Sequence, residues 1–469
     1  MLTIKFIRNV IKTIPRTFST TLIRKTEEEF SEKYIEDVLE SDNEYNEVVD
    51  NILHLKDIHS CLIIQPYVKW GPRKLTITPE EQLEEAVSLI QTLPSWKVVD
   101  TMKIPLESLD NKSLFKTGNM EKLSSIIVSN PEISAVFINA SNLKRVTSDI
   151  LQENFRIPIL DRYKIVMQIL KMHATSKYAK LQVALAELHF VRRKSQNDFF
   201  HTHDTEVLKL MFQNREQKIK KALQELRNQR MLLRSNRRKL DYPVIAVVGY
   251  TNAGKTCLIK ALTGEKSLQP KNQLFATLDV TVHAGILPSG LEVLYVDTVG
   301  FLSDIPTNLI ECFIATFEDA ILADVILHVE DISSSCFEYK RNHVLTTLKD
   351  LAKKSGNKDI MNKIMSVGNK RDLVEVNISN SLPISAKLGT GLEELRFKLE
   401  ETVLQATARN VMTIKVPSGG NEMRWLYKNS TVVTEIPDEN NLQITKAKVI
   451  ITDANLSKFK HYFLKNKRL

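Results

Sequence analysis

Eight consecutive residues, Gly249-Tyr250-Thr251-Asn252-Ala253-Gly254-Lys255-Thr256, place two glycines, a lysine and a hydroxyl at the spacing G-x-x-x-x-G-K-[ST]. The glycines let the backbone turn so that its N–H groups face phosphate oxygens. A helix that starts where the loop ends presents its positive N-terminus to the same anion. Lys255 is then expected to reach the β- and γ-phosphates of a nucleotide, and the Thr256 hydroxyl to bind Mg²⁺. The apolar run Val244–Val248 reads as a buried strand leading into the loop, and Leu258, Ile259 and Leu262 read as one face of the helix that follows. That strand–loop–helix context is what a phosphate loop requires.

About forty residues on, Leu294-Tyr295-Val296 leads to Asp297-Thr298-Val299-Gly300, an Asp at the end of an apolar strand with a Gly three positions later. Asp297 is the expected partner of the Mg²⁺, directly or through its water, and the Gly300 N–H can sense the γ-phosphate. Asn369-Lys370-Arg371-Asp372 follows the apolar run Ile364–Val367. The Asp372 carboxylate can accept from the N1 and N2 donors of guanine, and a site built for those hydrogen bonds rejects a base that lacks them. Ser385-Ala386-Lys387 suits a loop that closes over the base. The elements in this order point to GTP rather than ATP as substrate, with Mg²⁺ as cofactor. Many GTPases carry a Gln directly after D-x-x-G to orient the attacking water. Here that position is Phe301, which has no hydrogen-bonding group. No residue is assigned as catalytic, and slow intrinsic hydrolysis is expected.

The elements that must hold these residues can be read around them. The 469 residues allow about three domains, and a hydrophobic fraction of 43% is enough for packed cores. Residues 27–54 are rich in Glu and Asp and read as a solvated acidic linker with room for one short helix. From residue 55 to 162, the apolar runs Cys61–Ile64, Val98–Ile104, Ala135–Ile138 and Ile157–Leu160 suit buried strands. Thr78-Pro79-Glu80-Glu81 is a helix start with a cap, a proline in the first turn and a capping box. Residues 163–240 contain no strand signal. Leu181, Leu185, Leu188 and Val191, then Val207, Leu210, Ile219, Leu223 and Leu226, follow helical spacing and predict a long antiparallel helical hairpin. Residues 241–405 form the GTP-binding domain. In 406–469, apolar runs at Val432–Ile436, Leu442–Ile444 and Lys448–Ile451 precede a short helix. The expected fold is α/β: a P-loop domain preceded by a small α/β domain and the hairpin, with a small α+β appendix after it.

Net charge is +9 with pI near 9.1, a balance that suits a polyanionic partner, either nucleic acid or an anionic membrane. The second hairpin helix concentrates that charge. Lys218, Lys220, Lys221, Arg227, Arg230, Arg234, Arg237, Arg238 and Lys239 stand against only Glu216 and Glu225. Such a run can be a solvated face, but its density beside a nucleotide switch favours RNA. The four cysteines have no metal-finger spacing, which suits a reduced compartment and no structural metal. No apolar run approaches the roughly 20 residues of a membrane span. The first 26 residues are basic, hydroxylated and free of acid until Glu27, the pattern of a mitochondrial transit peptide. The matrix is the expected location, with the cytoplasm as the alternative if this segment is only a basic tail.

The motifs GYTNAGKT at Gly249–Thr256, LFATLD at Leu274–Asp279, DTVGF at Asp297–Phe301 and NKRD at Asn369–Asp372 resemble those of the HflX-type GTPases, of the TRAFAC class. The resemblance extends to Leu160-Asp161-Arg162, to Lys180–Leu188 at the start of the hairpin, and to Gly118–Lys122. It implies that Phe275, Ala276, Thr277, Leu278 and Asp279 form switch I, with Thr277 joining Thr256 on the Mg²⁺. It also implies a partner, the large ribosomal subunit with its RNA, and an output in ribosome splitting, recycling, rescue or assembly. With the transit-like start, the chain resembles a mitochondrial member acting as a monomer. The alternative is a GTP-dependent switch that recruits a protein or membrane partner without RNA. The family's glycine-rich stretch between hairpin helices is missing, since no Gly occurs from Asn119 to Val248. In its place Phe199 and Phe200 could stack on bases or pack the hairpin tip. His201 and His203 could hold a metal or lie in an exposed polar loop.

Overall fold

The computed structural model describes residues 35–36, 38–39, 43–53, 58–69, 77–108, 111, 113–195, 205–239, 241–270, 273–275, 277, 280–303, 320–356, 359–374, 381–439 and 441–463. The transit-like start, the hairpin tip with Phe199, Phe200, His201 and His203, and Ala276, Leu278 and Asp279 lie outside these.

The first sheet is built from strands β1 (Ser60–Val68), β2 (Lys97–Leu106), β3 (Ala135–Ile138) and β4 (Ile159–Asp161), in the order β2-β1-β3-β4 and all parallel. Leu62, Ile63 and Ile64 of β1 are all fully buried. Both faces of this sheet are covered, as parallel sheets require. Helix α2 (Pro79–Thr92) starts as its sequence demands. The Thr78 side chain accepts from the Glu81 N–H and the Glu81 carboxylate accepts from the Thr78 N–H, so both halves of the capping box form. Helices α3 (Thr117–Ser129) and α4 (Arg145–Phe155) cover the opposite face.

Helix α5 (Arg162–His173) leaves the end of β4, capped by the Asp161 carboxylate, which accepts from Lys164 N at 2.9 Å. Helices α6 (Lys177–Ser195) and α7 (Thr205–Lys239) pair as the expected hairpin. Arg192 meets Glu216 at 3.0 Å, and the Arg230 guanidinium lies over the Tyr178 ring at 3.9 Å, which fixes the antiparallel register at two heights. Tyr163 stacks on Phe190 at 4.1 Å and its hydroxyl donates to Ala186 O, so α5 is fastened to α6.

The second sheet runs β10-β9-β8-β5-β7-β6, from β5 (Val244–Gly249), β6 (Thr281–Ile286), β7 (Glu292–Asp297), β8 (Val325–Asp331), β9 (Ile364–Asn369) and β10 (Leu382–Pro383). All pairs are parallel except β6 with β7. Helices α8 (Lys255–Thr263), α9 (Phe337–Ser355) and α10 (Leu392–Ala406) belong to it. A third sheet, antiparallel, follows α10 and sets β13 (Asn441–Thr452) between β11 (Arg409–Pro417) and β12 (Thr431–Asp438).

Two expectations need correction. The segment 27–54 is not simply a solvated linker. Helix α1 (Asn43–Leu53) buries Tyr45, Val49 and Leu53, with Ile35 and Val38, in the main core. Its apolar residues recur every four positions and give one stripe despite the acidic composition. In the C-terminal unit, Leu442–Ile444 and Lys448–Ile451 are one strand, β13 (Asn441–Thr452), and β12 spans Thr431–Asp438. The segments before them form strand β11 (Arg409–Pro417) and helix α11 (Asn421–Asn429), and α12 (Asp453–Phe463) follows them. β11 hid because its apolar residues are broken up by polar ones and only Val416 is buried. Among the described residues, no helix is long and apolar enough to cross a membrane.

One apolar core runs without interruption from Ile63 and Phe137 of the first sheet, through Tyr163, Ile165 and Ile169 of α5, to Val248, Phe275 and Phe301. The first α/β unit, the hairpin and the nucleotide-binding sheet are packed as one body around α5.

Candidate nucleotide site

The phosphate loop leaves the centre of the second sheet at Gly249. A side chain there would place its Cβ 2.3 Å from Val329 O on the neighbouring strand, so only glycine fits. Gly254 has φ of +91° and begins α8; a Cβ would stand 2.3 Å from Asn369 Nδ2. Asn252 is left-handed at φ 61°, a conformation that Asn tolerates better than most residues. The loop is thus shaped by close approach as well as by turn geometry.

Lys255 is buried inside it, donating to Tyr250 O at 3.2 Å and more weakly to Gly249 O. Burial lowers its pKa to about 8, against the opposing charge of Asp297. The Thr256 hydroxyl donates to Asp297 Oδ2 at 2.6 Å and lies 3.0 Å from the Thr277 hydroxyl, which donates to the same carboxylate oxygen at 3.2 Å. Three residues from three motifs therefore converge on one point. Burial pushes the Asp297 carboxyl up, while Lys255 and the two hydroxyls pull it back. Its other oxygen, Oδ1, is buried without a hydrogen-bond partner. Two hydroxyls and an unsatisfied carboxylate oxygen are hard oxygen donors of the kind that suits Mg²⁺ and its retained waters.

Gly300 packs against the loop, where a Cβ would come within 2.8 Å of Thr251 Cγ2 and 3.0 Å of Lys255 Nζ. Thr298 and Val299 beside it face inward. The Thr298 hydroxyl donates to Val247 O at 2.7 Å and Val299 is buried in the core. Phe301 is also a core residue, only 5% exposed, with its backbone bridged to the P-loop by Phe301 N to Gly249 O and Thr251 N to Phe301 O. A glutamine there would bury an amide among Tyr250, Leu274 and Leu302. Phe301→Gln should therefore lose about 2–4 kcal/mol of stability and gain no hydrolysis. Thermal melts and single-turnover rates check this; hydrolysis more than tenfold faster would show that residue 301 can reach the nucleotide.

On the base side, Asn369 holds two loops at once. Its amide donates to Ala253 O at 2.9 Å and its carbonyl accepts from Ala386 N at 2.9 Å. Lys370, left-handed at φ 68°, reaches Asp331 at 2.7 Å, and Arg371 N donates to Ile384 O. Ser385 donates to Asp372 Oδ1 at 2.6 Å and accepts from Leu388 N at 3.1 Å. Asp372 and Lys387 are exposed, at the mouth of the site. Asp331 was not legible as a site residue, although an acid at the end of a buried strand is the signal that could have shown it.

The sequence also concealed a buried polar network that joins this site to the first sheet. The Tyr250 hydroxyl, inside the P-loop, donates to Glu85 of α2 at 2.8 Å, accepts from Ser303 N at 2.9 Å and lies 2.8 Å from Ser303 Oγ. Arg162 pairs with Glu85 and donates to Ser303 O at 3.0 Å and Asn139 Oδ1 at 3.0 Å. The segment expected to form switch I is tied too: Leu274 N donates to Thr92 Oγ1 at 3.3 Å, and His173 Nδ1 donates to Phe275 O at 2.8 Å. A cavity of about 730 Å³ opens beside this network, lined in part by Gln65, Glu85, Asn139, Arg162, Thr251 and Asn252.

The chain matches two family profiles, one described as a 50S ribosome-binding GTPase over residues 244–370 and one as a GTP-binding GTPase N-terminal domain over residues 80–170. It is 31% identical over 394 residues to the GTPase HflX of Caldanaerobacter subterraneus, covering 79% of this chain and 88% of that protein. The chain belongs to the HflX GTPase family. It is also 40% identical to a putative GTP-binding protein 6 of Xenopus laevis, covering 88% of this chain and 81% of the relative. With the human protein of the same name identity is 41%, over 86% and 81%. As an HflX-family P-loop protein it is a GTPase, converting GTP to GDP and phosphate.

Proposed function

We propose that this GTPase works on the large ribosomal subunit, in splitting, recycling or assembly of ribosomes, and that it does so in mitochondria. The observation that carries the reading is the placement of the basic helix α7. Lys218, Lys220, Lys221 and Arg227 are exposed along it, while Arg215 and Arg230 are turned inward over Tyr45 and Tyr178. The exposed cations form a ridge suited to RNA phosphates, on a hairpin that follows α5, whose His173 is bonded to Phe275 O. The description of the matched profile as 50S ribosome-binding agrees with this. Gly249 to Thr256 and Gly300 would hold the phosphates, with Lys255 supplying the charge. Asp372, Asn369 and the Ser385–Lys387 loop would select guanine. Thr256, Thr277 and Asp297 would hold Mg²⁺, which when bound neutralises phosphate charge. Phe301 leaves the attacking water without an orienting side chain, so basal hydrolysis should be slow and a docked particle should accelerate it.

Sedimentation with mitochondrial large subunits is the test. Binding with a non-hydrolysable GTP analogue should exceed that with GDP and weaken steeply between 50 and 200 mM salt, by about a factor of ten or more for three to four phosphate contacts. Equal sedimentation with both nucleotides would exclude the proposal. A reporter carrying residues 1–24 should enter mitochondria; a cytosolic signal would move the proposed partner to the cytoplasmic ribosome.

A further inference from the structure

Helix α5 touches both switches, one at each end. Its first residue, Arg162, donates to Ser303 O just beyond the Asp297–Gly300 motif and pairs with Glu85, which accepts from the P-loop Tyr250 hydroxyl. Its last residue, His173, donates to Phe275 O, two positions before Thr277. Between them the helix is held firmly. Eight of its twelve residues are buried, Lys164 donates to Ile159 O, and Tyr163 is stacked on Phe190. A helix buried over two thirds of its length moves as a unit, because interiors are dense and do not deform smoothly.

The contacts at its ends are of a kind that positions rather than merely packs. Phe275 sits at φ 53°, which a bulky residue adopts only when its surroundings enforce it. Its buried ring and the His173 bond to its carbonyl supply that enforcement, with Thr92 holding Leu274 on the other side. The product is a fixed entry to switch I, with the Thr277 hydroxyl already 3.0 Å from that of Thr256. At the other end, Arg162 and Tyr250 hold both the carbonyl and the N–H of Ser303, and so fix where the chain goes after Gly300. Switch segments in GTPases are ordinarily ordered by the nucleotide and released on hydrolysis. Here the protein orders part of each from behind.

We propose that Arg162 and His173 are positioning residues for GTP hydrolysis, and that α5 sets switch I and switch II together. Neither side chain need touch the nucleotide. The two act through Ser303 and Phe275, and α5 is rigidly joined to α6. A force on the hairpin therefore reaches both switches at once.

The test uses the full chain, with single-turnover GTP hydrolysis measured across a Mg²⁺ titration, GDP affinity and thermal melting. His173→Phe keeps a ring and removes the donor. It should raise the Mg²⁺ needed for half-maximal rate and lower the rate about five- to tenfold, with GDP affinity unchanged. His173→Gln restores a donor and should regain most of the loss. Arg162→Lys keeps the charge opposite Glu85 but loses the second arm, and should slow hydrolysis to a similar degree. In the double variant the loss should be clearly less than the product of the two, as expected for groups acting through one body. Should His173→Phe fail to fold, Thr92→Val removes the other strap of switch I and carries the same expectation. Wild-type rate and Mg²⁺ dependence in the His173→Phe or Thr92→Val protein would overturn the proposal. So would a loss shared equally by His173→Gln and accompanied by falling GDP affinity and melting temperature, since that would be a purely structural effect.

Discussion

Replacing Lys255 by Ala should weaken GTP binding by about two to three orders of magnitude, the cost of leaving one side of a buried charge pair without its partner. The fold should survive. Burial already disfavours this charge, lowering its pKa to about 8, so the apo protein loses little when it goes. The same shift gives the experiment an internal control. Below pH 8 the lysine of the free protein is protonated and affinity should be flat. Phosphates raise the lysine pKa on binding, so above pH 8 each complex must take up a proton, and affinity should fall about tenfold per unit until the bound-state pKa is reached. The Ala variant should lack that slope. Fluorescent-GTP titrations from pH 6.5 to 9.5 decide the matter. Equal affinity in the two proteins would show that Lys255 faces something other than the phosphates.

The second large effect is one of base choice. Asp372→Asn should reverse the preference between guanosine and xanthosine triphosphates, moving the ratio by about three orders of magnitude or more, because a polar site left with mismatched donors loses far more than one hydrogen bond. The geometry makes this substitution mild for the loop itself. Ser385 needs an acceptor at residue 372, and the Asn carbonyl can take over from Asp372 Oδ1 while the new amide faces the base. Ser385 also accepts from Leu388 N, so the loop keeps its second fastening. Competition binding with both triphosphates measures the ratio. A variant with unchanged GTP preference would remove Asp372 from base recognition.

These two residues were legible because each sits in a local pattern: a glycine-framed loop after a strand, and an N-K-x-D after another. The parallel strands were legible for a similar reason, being short apolar runs such as Ala135–Ile138 that a two-sided core requires. Other features resisted. Tyr250, Glu85, Arg162 and Ser303 lie far apart in sequence and meet only because α2, α5 and the P-loop share one core. Nothing local marks Glu85 among Glu80, Glu81 and Glu84 on the same helix. Helix α1 was obscured by its acidic residues, of which Glu47 is exposed, while Tyr45 and Leu53 face in. β11 was obscured by its exposure. Local chemistry survives in a sequence, whereas contacts made by tertiary packing do not.

The glycine-free span from Asn119 to Val248 has a mechanical meaning. Glycines would supply soft joints; here, among the described residues, the left-handed positions inside it fall to Arg156, before α5, and Asp241, after α7. Between them α5 and α6 are joined by only three residues and locked by an aromatic stack. The nineteen residues of α6 make an arm about 28 Å long. Its far end is held as well: Lys194 donates to Leu143 O at 2.7 Å, and its own carbonyl accepts from Arg145 at 3.2 Å. With both ends fastened, no soft joint between them and most of its length buried, α6 is a strut rather than a lever, and a load on it is passed on instead of being absorbed by bending.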